Sequence, residues 1–284
     1  MAEGAGEDSP HLDDQEKEQA RKTAVVGSLV IHEVVREQGE KELSRSFGGL
    51  AWSGLAAGLS IGFSFVAQAY IKAGLPEAPW ARLVDGFGYS LGFLIVILGQ
   101  QQLFTETTLT ALIPTLVRRT LRDAGATLRV WVIVLIANLI GTFIFSWILS
   151  QHGVVSPEAF EAMKTISAKL MSHSFGQTAM LAGAAGWLIG LMVWLLPGAG
   201  PSRPIIIIIL TYVVALCEFP HAIAGSVESA FGVWVGQASV QDYLWRFFAP
   251  TMLGNVIAGT ALVALLNHAP VVEELKRGKK ARKT

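Results

Sequence analysis

Two apolar stretches, Asp85–Val117 and Pro204–Gln237, each run more than thirty residues without lysine or arginine, and each carries a polar cluster at its midpoint. As a single helix rising about 1.5 Å per residue, such a stretch is roughly 50 Å long, against a hydrocarbon core of about 30 Å. It is too long for one straight span and too short for two. A helix, a short non-helical break and a second helix satisfy the length. Irregular backbone at membrane depth is tolerated where protein shields it or a cavity adjoins it, so two such breaks point to a pathway across the membrane.

The 284-residue chain is 52% hydrophobic and 15% charged, which excludes an ordinary soluble domain and a disordered chain. A formal net charge of zero argues against nucleic acid as a partner, because a phosphate-binding surface needs an excess of basic residues. Cys217 is the single cysteine and offers neither an intramolecular disulfide nor metal-ligand spacing. No metal or cofactor is expected. The acidic, polar start of the chain does not read as a cleavable signal peptide, which leaves the first membrane helix to direct insertion.

Residues 1–22 read as a disordered cytoplasmic tail. Residues 23–46 mix Val26, Leu29, Val30, Val34 and Leu43 with Glu33, Arg36, Glu37, Glu40, Lys41 and Glu42, the pattern of an amphipathic helix on the membrane or under the bundle. A six-span transport domain is expected over 47–268, followed by a basic tail over 269–284. Its spans fall near 49–71, 85–117, 128–149, 175–196, 204–236 and 247–268. The second breaks between 99 and 106 and the fifth between 217 and 222. A short amphipathic helix after Pro157 is expected in the loop before the fourth span. Seventeen Lys and Arg fall on one side of this arrangement, in both terminal segments and two loops, against five on the other. Both termini are therefore expected in the cytoplasm, with the basic tail as a positive-inside anchor rather than a lipid patch.

The order plain, broken, plain occurs twice. Asn138, followed by Gly141-Thr142, is echoed by Asn255, followed by Gly259-Thr260. Three spans per half reverse the second half, so the fold expected is all-α, an inverted 3+3 repeat with its site between the breaks. Chance recurrence of small and polar residues used for close packing is the plainer account of the short match.

The first break reads Gln100-Gln101-Gln102-Leu103-Phe104-Thr105-Glu106-Thr107, with Thr105 standing where an N-cap is needed. The second reads Cys217-Glu218-Phe219-Pro220-His221. Pro220 interrupts the helix, and His221 opens the next one. Two helix N-termini with free amides would then face the centre, a geometry that favours an anion. His221 is the histidine deep in a span, and its ordinary pKa of ~6.5 suits proton exchange near neutrality. A core histidine satisfied by a backbone carbonyl is the plain reading, but intramembrane polar groups are costly enough to favour function. Glu228, two turns on, could pair with His221 or repel anions. Glu106, Glu218 and Glu228 are equally well read as tuning groups or as structural caps and bridges. Leu103, Phe104, Phe93, Tyr89 and Val214 are candidates to narrow a pore, or simply packing.

Leu103-Phe104-Thr105 together with Glu218-Phe219-Pro220-His221-Ala222-Ile223-Ala224 resembles the formate/nitrite transporter family. Its YfdC-like branch is similar through Gly39-Glu40-Lys41-Glu42-Leu43, Gln101-Gln102-Leu103-Phe104-Thr105-Glu106 and Gly225-Ser226-Val227-Glu228. The resemblance runs from Glu33 to His268. It implies an aquaporin-like fold, a homopentamer with one pore per protomer in a bacterial inner membrane, a central His221 facing Thr105, and apolar slits near Leu103, Phe104 and Val214. The sequence departs from the family pattern at Gln101, Gln102 and Glu106, and at Gly186 and Gly225, where the family carries asparagine. Lys169 stands for its basic residue before the fourth span.

The reading is a channel or proton-coupled transporter for small monovalent anions of weak acids. Asn138 and Asn255 join the three glutamates as tuning candidates. A pore for neutral solutes and a non-transporting scaffold docking partners through 23–46 are the alternatives. Catalysis is disfavoured, since no Gly-x-Ser-Gly occurs and His32-Glu33 lacks the second histidine of a zinc protease.

Overall fold

The computed structural model describes residues 11, 13–23 and 26–262, and among them every regular element is helical. α1 (Asp14–Thr23) lies within the stretch read as a tail. Asp13 and Glu16 each accept the other's backbone N–H, a reciprocal cap that starts a helix even in polar sequence. α2 (Ser28–Ser44) buries His32, Val35, Gly39 and Glu42, one face at alternating three- and four-residue spacing. Its C-terminal end is held by Arg129 Nη2, which donates to the carbonyls of Leu43 and Arg45 at 2.9 Å.

α3 (Phe47–Ser60) and α4 (Gly62–Gly74) form one long apolar unit, started by the Ser46 hydroxyl accepting from the Gly49 amide. α5 (Ala81–Leu98) is followed by non-helical backbone, then α6 (Phe104–Thr110) and α7 (Leu112–Arg118). α8 (Leu121–Leu149) starts at Leu121 rather than near Leu128, because the Thr120 hydroxyl caps the Asp123 amide well outside the apolar section. Hydropathy marks the buried part of a helix and the cap marks its start. α9 (Pro157–Leu170) begins on Ser156 and Pro157, and α10 (Phe175–Leu195) on Ser174 with Gln177. α11 (Arg203–Leu216), α12 (Ala224–Trp234) and α13 (Val240–Asp242) follow. A π-helical turn (Tyr243–Phe248), α14 (Ala249–Val256) and a second π turn (Ile257–Leu262) complete the described part. The last residues of the expected sixth span and the basic tail lie outside it.

Among the described residues, four segments, Phe47–Gly74, Ala81–Leu98, Leu121–Leu149 and Phe175–Gly198, are long and apolar enough to cross a membrane. Their outer faces are apolar too. Ile136, Ile140 and Ile144 form an exposed stripe on α8, and Trp52 and Trp245 project outward. Water would not tolerate such a surface, and lipid does.

Inside, α3 packs on α8 and α10 on α14 with backbones in near contact. A Cβ at Gly58 would lie 2.2 Å from the Asn138 carbonyl oxygen, and one at Gly186 would lie 2.4 Å from that of Asn255. Small residues at these crossings bring Asn138 and Asn255 to the centre of the molecule.

Candidate functional site

α5 and α11 end the same way. Gln100 and Glu218 adopt left-handed backbone, φ 52° and 54°. Gln100 N–H then donates to Ile97 O and Gln101 N–H to Val96 O, while Glu218 N–H donates to Ala215 O and Phe219 N–H to Val214 O. This double closure satisfies the last carbonyls of a helix at its C-terminal end. Left-handed backbone is uphill for non-glycine residues, by roughly 1–2 kcal/mol each, so the surroundings must hold it.

The holders are two asparagines. Asn138 Oδ1 accepts from the Phe104 N–H at 2.8 Å, and its Nδ2 donates to the carbonyls of Gln102 and Gly54 at 2.9 and 2.7 Å. Asn255 Oδ1 accepts from the Ala222 N–H at 2.8 Å, and its Nδ2 donates to Pro220 and Ala182 at 3.1 and 2.7 Å. Both are buried and clamp the irregular segments to neighbouring helices. Thr105 is not the N-cap that its position suggested. Leu103 occupies the cap position of α6 without a side-chain bond, and the amide is taken by Asn138 instead. Three of the amides expected to be free are bonded, since Phe104 and Ala222 give theirs to asparagine and Ala224 gives its own to His221.

His221 is 1% exposed. Its Nδ1 accepts from the Ala224 N–H at 3.1 Å, and its Nε2 lies 2.7 Å from Thr105 Oγ1. A backbone amide can only donate, so Nδ1 is bare and Nε2 carries the proton towards Thr105. The Phe93 ring packs edge-on against the imidazole at 5.1 Å. The pair His221–Thr105 thus joins the two breaks through one hydrogen bond between side chains 116 positions apart. Glu228 does not pair with His221, although both border the same cavity.

Two chambers lie at opposite ends of α5. The first, about 140 Å³, is bordered by Asp85, Tyr89, Val214, Lys169, His221 and Glu228, among others. Glu218 stands at its rim and pairs with Lys169 at 2.5 Å, tying α9 to the second break. The second chamber, about 390 Å³, is bordered by Ile97, Gln100, Gln101, Gln102, Glu106, Glu42 and Arg203. From Tyr89 to Ile97 is about 12 Å along a helix, and Phe93 sits between, against the imidazole. Leu103 and Phe104 are buried but border neither chamber, and the Phe104 ring faces Trp131 of α8. Asn138 and Asn255 border neither.

Composition and span counting miss Lys72, Arg82, Glu42 and Arg203. Lys72 and Arg82 border the first chamber from the α4–α5 connection. Glu42 enters the second from α2, and its signal was the shared spacing with Val35 and Gly39. Glu42 Oε2 accepts from the Thr110 hydroxyl and Oε1 from Gln38 Nε2. Burial outweighs those bonds and pushes the carboxyl from 4.5 up to about 7. The folded chain then retains a proton that the unfolded chain loses above pH 4.5. Stability from this group accordingly falls as pH rises from about 4.5 to about 7 and levels off beyond. The midpoint of thermal unfolding in detergent should drop by several degrees between pH 5 and 8. Glu42→Gln should flatten that slope, and a slope unchanged in the variant would assign it to another group.

The sequence profile of the Formate/nitrite transporter family matches residues 29–269. The chain belongs to that family. It is 35% identical to the inner membrane protein YfdC of Escherichia coli K12, over 96% of this chain and 90% of the relative. It is 25% identical to the formate channel BtFdhC of Bacillus thuringiensis, over 84% and 93% respectively. The fold is shared with a pentameric formate channel solved with formate bound, at a TM-score of 0.66 and 20% identity, covering 84% of this chain and 99% of that one.

Proposed function

We propose that the chain is a transmembrane channel or proton-coupled transporter for small monovalent anions of weak acids, and not an enzyme. The observation that carries this reading is the His221–Thr105 contact, lying between the two chambers and at the junction of two non-helical breaks. Backbone of that kind at membrane depth is stable only beside a cavity or within protein. The Nε2–H of His221 is a donor for an anion that displaces Thr105, and the apolar surroundings of Phe93 and Val214 select against hydrated ions. A formate channel among the relatives supports the solute class.

In this reading residues 47–268 form six spans in an inverted 3+3 repeat with an aquaporin-like path, the second and fifth being the broken ones. The matched helix ends at Gln100 and Glu218 and the matched asparagine clamps support it. A homopentamer is proposed from the pentameric structural relative, and cytoplasmic termini from the lysine and arginine count.

One observation favours a second reading, a pore for neutral solutes. The Ala224 N–H donates to His221 Nδ1 and holds the ring neutral, so proton exchange at His221 requires that contact to open. Liposomes separate the two. Uptake of formate, nitrite, acetate, lactate and hydrosulfide is measured at acidic and neutral external pH, with wild type, His221→Ala and empty vesicles. Saturable, pH-dependent flux of an anion that changes in His221→Ala is the expected result. Permeation indifferent to both pH and His221 establishes the neutral pore. No flux above empty vesicles defeats both and leaves the scaffold.

A further inference from the structure

The larger chamber holds groups that the His221 centre does not use. Glu106 Oε1, Gln101 Oε1 and Arg203 Nε are sealed from solvent without a hydrogen-bond partner, and all three residues border this chamber. Buried polar atoms left unmade cost on the order of 1–3 kcal/mol each, more for charged groups, and are rare for that reason. Two acceptors and a donor without partners thus belong to the wall of one cavity, where a turn of each side chain brings it onto a molecule held there. Arg203 closes no ion pair with Glu106, although both belong to the chamber wall. At about 390 Å³ the chamber admits a solute of a few heavy atoms together with water, whose share of liquid volume is about 30 Å³ per molecule.

We propose that this chamber is a second solute site, separate from His221, that binds a small monocarboxylate together with one proton between Glu106 and Arg203. One solute oxygen accepts from Arg203 Nε–H. The other shares a proton with Glu106 Oε1, a charge-assisted O–H···O contact that two bare carboxylates cannot make. Gln101 donates to the same solute only with its amide turned to bring Nε2 to the place of Oε1. The proton remains on the solute–Glu106 pair and no covalent bond changes. Undissociated acid entering a bare Glu106, and anion entering a protonated Glu106, give the same bound state.

The other charged groups reinforce this stoichiometry. Glu42 faces the chamber from α2, with the Thr110 hydroxyl on it and Arg45 near it. The α10 end contributes Val193 and Leu196, and the α5 end contributes Ile97 and uncharged glutamines. Above about pH 7, where Glu42 has given up its proton, two carboxylates against one guanidinium repel an anion arriving without its proton. The site deepens the transport reading and rests on it for the class of solute.

Formate is the probe, followed by saturation-transfer NMR on the full chain in nanodiscs at pH 6, 7 and 8. Wild type and His221→Ala should both keep a site whose apparent affinity falls as pH rises, the fall approaching tenfold per pH unit only once Glu106 of the empty site has lost its proton, as one linked proton requires. Glu106→Gln in a Glu42→Gln background, which offers a fixed N–H in place of the shared proton and removes the other titrating carboxyl of the chamber, should bind formate with no such slope. Arg203→Gln should weaken binding at least about tenfold at every pH, a lost charge-assisted bond. In lightly buffered wild-type protein above the pH at which empty Glu106 ionises, each formate anion bound should take up one proton. A wild-type slope in the double variant, the absence of proton uptake, or loss of all formate binding in His221→Ala would overturn the proposal. If liposomes pass no acid while this site behaves as described, the transport reading falls and the site stands. Flux without the site gives the reverse.

Discussion

Asn138→Leu is expected to destroy the folded protein in detergent, and Asn255→Leu to do the same. Each asparagine supplies the acceptor for one break amide, Phe104 or Ala222, and a donor to one break carbonyl, Gln102 or Pro220. Leucine fills the volume but leaves both groups unmade where no water replaces them. At about 1–3 kcal/mol per orphan, one substitution removes roughly 2–6 kcal/mol from a stability that for most proteins is only about 5–15. The unfolding midpoint, followed by fluorescence-detected size exclusion, should fall by roughly 10 °C or more. Asn138→Asp keeps the acceptor and loses the donor, so it should lie between. If Asn138→Leu stayed within about 2 °C of wild type, the left-handed turn at Gln100 would have to be held by something else.

Gly186→Asn is the second large effect, at the position where the family resemblance sets an asparagine. A Cβ there meets the Asn255 carbonyl oxygen at 2.4 Å and its Cα at 2.6 Å. These are backbone atoms and cannot swing aside, so α10 and α14 must separate and carry Asn255 away from Ala222. Overpacking of a tight core costs about 1–3 kcal/mol and often more, and here it also opens the clamp. We expect loss of flux together with a lowered unfolding midpoint. Gly176→Ala, near the start of the same helix with open space around it, should leave both unchanged. A Gly186→Asn protein that folds and transports normally would mean the crossing has room that its geometry denies.

The non-helical backbone that follows Leu98 and Leu216 was legible because a bilayer fixes the length of an apolar helix, and because Pro220 and the Gln100–Gln102 cluster mark where a longer helix must be interrupted. His221 and Thr105 were legible as polar groups at those marks, and the resemblance paired them. Thr105 carries the local signature of an N-cap, but the start of α6 is served from a distance. The amide of Phe104 is bound by a side chain 34 residues further on. Asn138 and Asn255 were noticed as an echo, yet their work is invisible in sequence, since it depends on Gly58 and Gly186 letting backbones meet.

From the sequence alone follow the membrane solvent, the helical class and the sites of interruption, because these depend on hydropathy and on chain length measured against a fixed thickness. The closed conformation of each break, the neutral tautomer of His221 and the convergence of Glu42, Glu106 and Arg203 on one chamber belong to the tertiary structure. Each is decided by hydrogen bonds and contacts between residues far apart in the chain, and a local pattern of residue types carries no record of which distant group will arrive.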